Sequence, residues 1–168
     1  MESKTGLLIW CILTTVLVMT DGCNVNRRIN YTKPIMENTL NQFLSANRNN
    51  NGPWTEPISE LDLKNLTTEE KRHRAQCGLH YMQEAVKLIR QHQSELNHTW
   101  NPIPGTIHVE LKRTNACVVR AIGPCTNGTE KPVFSPTKTY ERKQWGVAVL
   151  KISVVFLDEL ENFINHTT

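Results

Sequence analysis

The chain has 168 residues and a formal net charge of +3. This weak basic excess falls well short of the charge that nucleic-acid-binding domains carry, so the sequence predicts no nucleic-acid partner. The length suits one domain that can bury a hydrophobic core of reasonable size.

The first 22 residues are organised like a secretory signal peptide. Lys4 supplies the positive start, an apolar run over 7–19 follows, and Thr20 and Gly22 are the small residues of a cleavage site. The run is short for a retained membrane anchor. Cleavage after Gly22 removes a segment of net charge −1 and leaves residues 23–168 as one domain of net charge +4.

Four cysteines remain after cleavage, and an even count in an exported chain indicates two disulfides with three possible pairings. Five Asn-x-Thr sequons also indicate a secreted glycoprotein, and each occupied sequon marks surface that no partner covers closely. The cysteines are Cys23, Cys77, Cys117 and Cys125. The sequons begin at Asn30, Asn65, Asn97, Asn127 and Asn165.

The first helix is predicted to begin at Thr32, which is a suitable N-cap, with Pro34 in its first turn. It ends at the turn-forming run over 47–53. An alternative extends the helix backwards through Val25 and Ile29 and makes Pro34 a kink. The apolar stripe of this helix is Ile35 or Met36, followed by Leu40, Phe43 and Leu44.

A long irregular connection follows the first helix. It contains Ile58, Leu61 and Leu63, which we expect to lie on the core because they are apolar. Val133 and Phe134, in a later loop, are candidates to pair with this segment as a short two-stranded β ladder.

The second helix is predicted to be capped by Thr67 or Thr68. Glu69 and Glu70 fall in its first turn, where negative charge suits the helix dipole. The helix ends by Pro102.

The third helix is predicted over 104–122 and the fourth over 140–164. Gly123 and Pro124 stop the third. The fourth has apolar residues at steps of three or four on two neighbouring sides, so other elements must cover most of its circumference. It is too long for a strand, and charged residues interrupt it too often for a membrane span.

The lengths of the three connections predict the topology. The first and third connections are long enough to run the length of a helix, whereas the second is short and makes its two helices antiparallel neighbours. This long–short–long order is typical of an all-α, up-up-down-down four-helix bundle.

In this topology the start of the first helix and the end of the third lie at the same end of the bundle. Cys23 is therefore expected to meet Cys117, and Cys77 is within reach of Cys125. Pairing of Cys23 with Cys77 or with Cys125 remains open.

The sequence contains no pattern that indicates catalysis or a metal site. His73, His80 and His92 fall on or near the second helix without the spacing of metal ligands, and no phosphate-binding or nucleophile motif occurs. We therefore expect no enzyme activity, metal or cofactor. The basic run over 71–74 is interpreted as a solvated helix face, with binding of sulfated glycans as the alternative. Three tryptophans are candidates for interface anchors: Trp54, Trp100 and Trp145, of which the first two are also candidates to cover the core.

The polar faces of the first and third helices are the predicted site of partner contact. Glu37 and Asn41 share one face of the first helix, and Lys112, Arg113 and Arg120 are the exposed charges of the third. Charged side chains in such positions set the specificity and the rate of association with a partner.

The segment TEPISELDLKNLTTEEKRHRAQCGLHYMQEAVKLIRQ resembles the interleukin-4 and interleukin-13 family around the loop into its second helix. Thr55-Glu56, an apolar segment over 58–63, the cap over 64–70 and Cys77 follow one another in the family's order. The segment over 121–125 is similar to the family's cysteine after the third helix, which implies the pair Cys77–Cys125. The last helix resembles most closely that of interleukin-13. Trp54 departs from the family, because interleukin-4 has a cysteine there.

The resemblance implies a secreted short-chain helical cytokine that brings two type I cytokine receptor chains together at the cell surface and signals in type 2 immune responses. It implies receptor ectodomains as partners, and we expect a free monomer without membrane insertion. Glu37 and Arg113 are the nearest equivalents of the family's receptor-binding Glu and Arg. Another helical cytokine, such as an interferon or a colony-stimulating factor, is an alternative, as is a secreted lipid carrier whose fourth helix lines a cavity.

Overall fold

The computed structural model of the chain describes residues 23–47, 52–96, 99–126, 131–133 and 138–167. Within these ranges the regular structure is helical, which confirms the predicted all-α class. The predicted signal peptide lies outside the described residues. The four long helices are α1 (Val25–Ala46), α2 (Thr68–Leu96), α3 (Gly105–Ile122) and α4 (Thr139–Thr167).

Helix α1 begins seven residues before the predicted start at Thr32, which was therefore wrong. Its N-cap is Asn24, whose side-chain oxygen accepts a hydrogen bond of 2.9 Å from the backbone N–H of Arg27. Pro34 lies inside the helix, as in the alternative that the sequence left open. Thr32 is fully buried and hydrogen-bonds to Thr114 of α3, so it serves packing between helices instead of capping.

Helix α2 begins with a capping box that confirms Thr67 as its cap. The Glu70 N–H donates to the Thr67 hydroxyl at 3.3 Å, and the Glu70 carboxylate accepts from the Thr67 N–H at 2.8 Å. The Glu70 carboxylate also accepts from the Thr67 hydroxyl at 2.7 Å, and this bond, followed by that from the Thr67 N–H, lowers the pKa of Glu70. The capping box satisfies backbone donors that the first turn of a helix leaves unpaired.

The connection between α1 and α2 packs on the core as predicted, but as a 3₁₀ turn and not as a strand. The turn covers Ser59–Leu61, and Leu61 and Leu63 are buried. Its backbone hydrogen bonds are local, since the Leu61 N–H donates to the Ile58 carbonyl. The part of the chain that the structure describes contains no strand. Val133 is exposed there and pairs with no strand, and Phe134 lies outside it.

Each helix packs against two others: α1 and α2 each contact both α3 and α4. Helix α1 runs against α4 in the opposite direction, because Asn26 hydrogen-bonds to Asn165 at 2.6 Å and Lys33 pairs with Asp158 further along. The two helices therefore share a polar seam on the surface.

Helix α2 also runs opposite to both of its neighbours. Near its start, Gln76 donates to the carbonyl of Ile122 in the last turn of α3. Near its end, Glu95 pairs at 2.6 Å with Arg142 in the first turns of α4. The ends of the helices are thus fixed by specific polar contacts as well as by the core.

The core forms a continuous cluster to which every helix contributes. The apolar sides of α4 are covered, as predicted, since Val149, Phe156, Leu157 and Leu160 are fully buried. Among the described residues, no helix combines the length and apolarity that crossing a bilayer requires.

Two disulfides tie the helices together at one end of the molecule. They join Cys23 to Cys117 and Cys77 to Cys125, with Cα–Cα distances of 5.4 and 4.9 Å. These are the pairs that the sequence favoured. Because Cys23 precedes α1 and Cys125 follows α3, both bonds lie where α1 and α2 begin and α3 ends.

Candidate functional site

The five residues predicted for partner contact are all exposed, but they do not lie on one face. Glu37 is one turn after Lys33, whose ammonium group binds Asp158 of α4. The Asp158 carboxylate raises the pKa of Lys33, and Glu37 adds a smaller effect in the same direction. Glu37 therefore faces the α4 side of α1, and Asn41 lies one turn further along.

The side of α1 that meets α3 carries a different polar cluster. The carboxylate of Glu110, on α3, lies between the guanidinium groups of Arg28 on α1 and Arg113 on α3. Glu110 Oε1 is 2.8 Å from Arg113 Nη1, and Oε2 is 3.5 Å from Arg28 Nη1. The side chain of Glu110 is only 10% exposed, whereas those of Arg28 and Arg113 are 40% and 58% exposed. A buried carboxylate thus joins two accessible cations.

Covalent and hydrogen-bonded contacts fix the helices on which this cluster is built. Thr32, one turn after Arg28, hydrogen-bonds at 2.7 Å to Thr114, one turn after Glu110. Cys117, a further turn along α3, is bonded to Cys23 at the start of α1. The same side of α3 therefore presents Glu110, Thr114 and Cys117 to α1, and the seam has little freedom to shift.

Two exposed apolar side chains lie next to the cluster. Tyr31 is 56% exposed and follows Arg28 by three residues on α1. Val109 is 47% exposed and lies one turn before Arg113 on α3. Tyrosine and arginine are the residue types that most often dominate binding energy at protein interfaces. This surface, Arg28, Tyr31, Val109, Glu110 and Arg113, is called the α1–α3 surface below.

The basic excess of the chain lies on these two helices. Arg27, Arg28 and Lys33 outnumber Glu37 on α1, and Lys112, Arg113 and Arg120 outnumber Glu110 on α3. Each of the two helices therefore has a net charge of +2, whereas α4 has −1. A positive surface with exposed apolar side chains suits a protein partner of complementary, acidic character.

The described sequons lie on the α4 side of α1 or beside α4. The Asn30 amide donates to Glu161 at 2.8 Å, and the Asn165 side chain accepts from Asn26. Asn65 is exposed in a turn with φ of +56°, a conformation that Asn tolerates, and the adjacent Lys64 pairs with Glu159 of α4. Asn30 directly precedes Tyr31, so a sugar at this position would lie beside the α1–α3 surface. The sequons at 97 and 127 lie outside the described residues.

One histidine and two of the tryptophans serve packing. His92 is 7% exposed and meets Trp145 edge-on, with ring centroids 6.3 Å apart. Burial lowers the pKa of His92, Arg142 lowers it further, and Glu95 opposes them. Trp145 is buried, Trp54 packs against the core and Trp100 is 54% exposed. In the described parts of the chain, no group of three or more His, Cys, Asp or Glu side chains is placed to hold a metal ion.

The basic run over 71–74 does not form one cationic face. Arg74 donates to the backbone carbonyl of Ser59 in the connection between α1 and α2. Lys71 lines a surface groove beside Phe163, near the end of α4. Arg72 is exposed. Because these side chains approach different neighbours, the run is a weak candidate for a site that binds a polyanion such as a sulfated glycan.

The sequence analysis named Arg113 as a candidate but not the residues that contact it or lie beside it. Arg28 and Tyr31 were overlooked because the first helix was predicted to begin after them. Glu110 was not chosen because its burial depends on which side of α3 meets α1. A signal for Val109 was present, since it lies off the apolar stripe of Ile107, Leu111, Thr114 and Val118.

The chemistry of the α1–α3 surface is that of recognition by charge and by apolar contact. Its exposed groups are guanidinium ions, a phenol and a branched alkyl side chain. Comparison of the chain with known proteins finds no matching family model, no matching curated protein and no matching solved structure.

Proposed function

We propose that this protein is a secreted helical cytokine of the interleukin-4/13 type. It binds type I cytokine receptor ectodomains, brings two receptor chains together and signals in type 2 immune responses. The α1–α3 surface is its site for one receptor chain, and Lys112 and Arg120 extend that site along α3.

The proposed topology is the up-up-down-down bundle of helical cytokines. It is supported by the helix contacts, because α1 and α2 each run opposite to α4 and α2 runs opposite to α3. These relations support an arrangement in which α1 is parallel to α2, with α3 and α4 opposite to both. Long first and third connections and a short second connection are what this arrangement requires.

The observation that carries the binding site is the pair of arginines on either side of buried Glu110. Interfaces of high specificity often centre on arginine and aromatic side chains that are ordered before the partner arrives. Arg28 and Arg113 are held by ion pairs with Glu110, and Tyr31 is an exposed aromatic side chain one turn after Arg28. The two disulfides support secretion, since such bonds persist in oxidising compartments.

No specific contact favours the lipid carrier. A carrier needs apolar side chains that face an open interior. Instead, Phe156 of α4 packs directly over Gly78 of α2, and Gly146 of α4 packs against Phe43 and Ile89. The apolar character of α4 is thus explained by its packing in the core.

A binding screen against purified type I receptor ectodomains, read by surface plasmon resonance, tests the proposal. Reversal of Arg113 to Glu is expected to weaken the binding of a cognate ectodomain at least tenfold, or ~1.4 kcal/mol. Lys87→Glu, on the exposed side of α2, is the matched control and is expected to change it less than twofold. Glu37→Lys, on the α4 side of α1, reports whether the site extends there.

The proposal fails if no type I receptor ectodomain binds. The surface assignment alone fails if an ectodomain binds but reversal of neither Arg113 nor Lys112 weakens it. Phosphorylation of receptor-associated kinases in cells that carry the cognate chains is the corresponding measure of signalling.

A further inference from the structure

The carboxylate of Glu110 is unusual for its setting because it is almost completely buried and yet incompletely hydrogen-bonded. Its Oε1 atom accepts from Arg113, whereas Oε2 makes no hydrogen bond within the described residues and lies 3.5 Å from Arg28. Burying a carboxylate costs free energy that only close charged partners offset. The protein therefore maintains a costly group between two cations from different helices.

Packing alone does not require a carboxylate at this position. The disulfide Cys23–Cys117 and the hydrogen bond between Thr32 and Thr114 already hold α1 against α3. An apolar side chain of similar size in place of a buried charge is often neutral or stabilising. The ion pairs are thus better explained by their effect on the arginine side chains than by a contribution to the packing of α1 against α3.

We propose that Glu110 is a positioning residue that holds the guanidinium groups of Arg28 and Arg113 side by side, so that together they bind a carboxylate of the protein partner. This inference rests on the proposed function and names the chemistry of its site. Glu110 itself is buried and does not touch the partner.

The donors that remain on the arginines are suited to this ligand. A guanidinium group has five N–H donors in a fixed plane, and one edge can bind Glu110 while another faces outward. The exposed fractions of Arg28 and Arg113 leave such edges accessible. Arginine side chains that are already ordered lose less conformational entropy on binding, which strengthens a bidentate contact with a carboxylate.

One substitution distinguishes positioning from a simple charge effect, because the two explanations predict opposite changes in partner binding. Glu110→Gln keeps the shape of the side chain and removes its negative charge. If charge alone matters, an acidic partner binds this variant more tightly, because the surface becomes more positive. If Glu110 positions the arginines, the complex dissociates faster, since both guanidinium groups lose their fixed partner.

We expect Glu110→Gln to raise the dissociation rate of the cognate receptor ectodomain five- to tenfold at near-physiological salt. In the Arg113→Gln background the same change is expected to have a clearly smaller effect, because only Arg28 remains for Glu110 to position. Glu110→Met fills the site with an apolar side chain and is expected to reproduce the loss if Glu110→Gln folds poorly. An unchanged or slower dissociation rate for both single variants, or a full effect in the Arg113→Gln background, overturns the proposal.

A second measurement does not depend on the receptor. Relaxation of the arginine Nε–H groups, measured by NMR on ¹⁵N-labelled free protein, is expected to show Arg113 as ordered as the backbone, and markedly less ordered in Glu110→Gln. Equal order in both proteins overturns positioning even if a receptor binds. If no receptor binds but the order is lost, the proposed function fails and the positioning role stands. The assignment of a carboxylate ligand is overturned if heparin binds the protein and no acidic protein partner competes with it for Arg113.

Discussion

At the scale of single residues, the contact between α1 and α3 includes a pair of buried hydroxyl groups. Thr32 and Thr114 are fully buried, and their Oγ1 atoms are 2.7 Å apart. Each hydroxyl is the other's buried hydrogen-bond partner, so each is costly to leave without one. Thr32 is also the third residue of the sequon at Asn30, which means that one side chain serves both packing and the sequon.

Replacement of one threonine of this pair by valine is expected to cost more than replacement of both. Thr114→Val leaves the Thr32 hydroxyl buried without a partner, at about 1–3 kcal/mol of unfolding free energy. Thr32→Val is expected to act similarly, whereas the double variant should be within about 1 kcal/mol of the native protein. Urea denaturation of the four proteins measures this double-mutant cycle. Additive losses in the double variant would show that the hydroxyls do not act as a pair.

At the scale of elements, the sequence predicted α2, α3 and α4 well but α1 only in part. Apolar periodicity and end signals placed α2, α3 and α4 within a few residues of their observed bounds. The start of α1 was missed because Pro34 is a common first-turn residue, and that signal outweighed the cap at Asn24. The predicted topology favoured the observed disulfide pairs but left other pairings of Cys23 open. The Glu110 cluster could not be predicted, because it depends on the rotation of each helix about its axis.

The close approach between α2 and α4 also could not be predicted from the sequence. A Cβ atom added to Gly78 would lie 2.3 Å from Cζ of Phe156, and Phe156 is fully buried and cannot move aside. Glycine in the middle of a helix normally lowers its stability by about 1 kcal/mol relative to alanine. Its presence here is explained by the contact that it permits.

Gly78→Ala is therefore expected to destabilise the protein by about 1–3 kcal/mol, even though alanine is the better helix former. Gly105→Ala, in the first turn of α3, is the matched control because its Cβ would meet only the end of the flexible Arg90 side chain. That variant should be neutral or slightly stabilising. Thermal or chemical unfolding compares the two, and equal effects would contradict the steric explanation. Phe156→Leu in the Gly78→Ala background should recover part of the loss.

At the scale of the whole molecule, the two ends of the bundle are held differently. Both disulfides lie at the end where α1 and α2 begin. The opposite end, where α2 finishes and α4 starts, is held by non-covalent contacts such as Glu95–Arg142 and His92–Trp145. The His92 ring is buried, and its Nδ1 atom makes no hydrogen bond in the described part of the chain. Protonation of His92 can therefore loosen this end.

The direction of the pH effect follows from the lowered pKa of His92, which results first from burial and then from the nearby Arg142. The unfolded chain takes up a proton near the ordinary histidine pKa of about 6.5, before the folded protein does. His92 thus contributes stability above that pH, and the contribution is lost as the pH falls towards its lower folded pKa. The lowered pKa values of Glu70 and Glu95 change the free energy of unfolding only below about pH 4.5. They therefore do not affect its pH dependence between about pH 7.5 and 5.

We expect the free energy of unfolding to fall between pH 7.5 and 5, with the His92 contribution sloping by at most about 1.4 kcal/mol per pH unit. His92→Gln should remove that part of the slope, whereas His108→Gln, on an exposed position of α3, should retain it. Hydrogen exchange, corrected for its intrinsic pH dependence, should increase first in the last turn of α2 and the first turns of α4. The disulfide-linked end should stay protected, because opening it would require separating helices that are covalently joined. Equal loss of protection at both ends, or a slope that survives in His92→Gln, would show that His92 does not govern the acid sensitivity of this end.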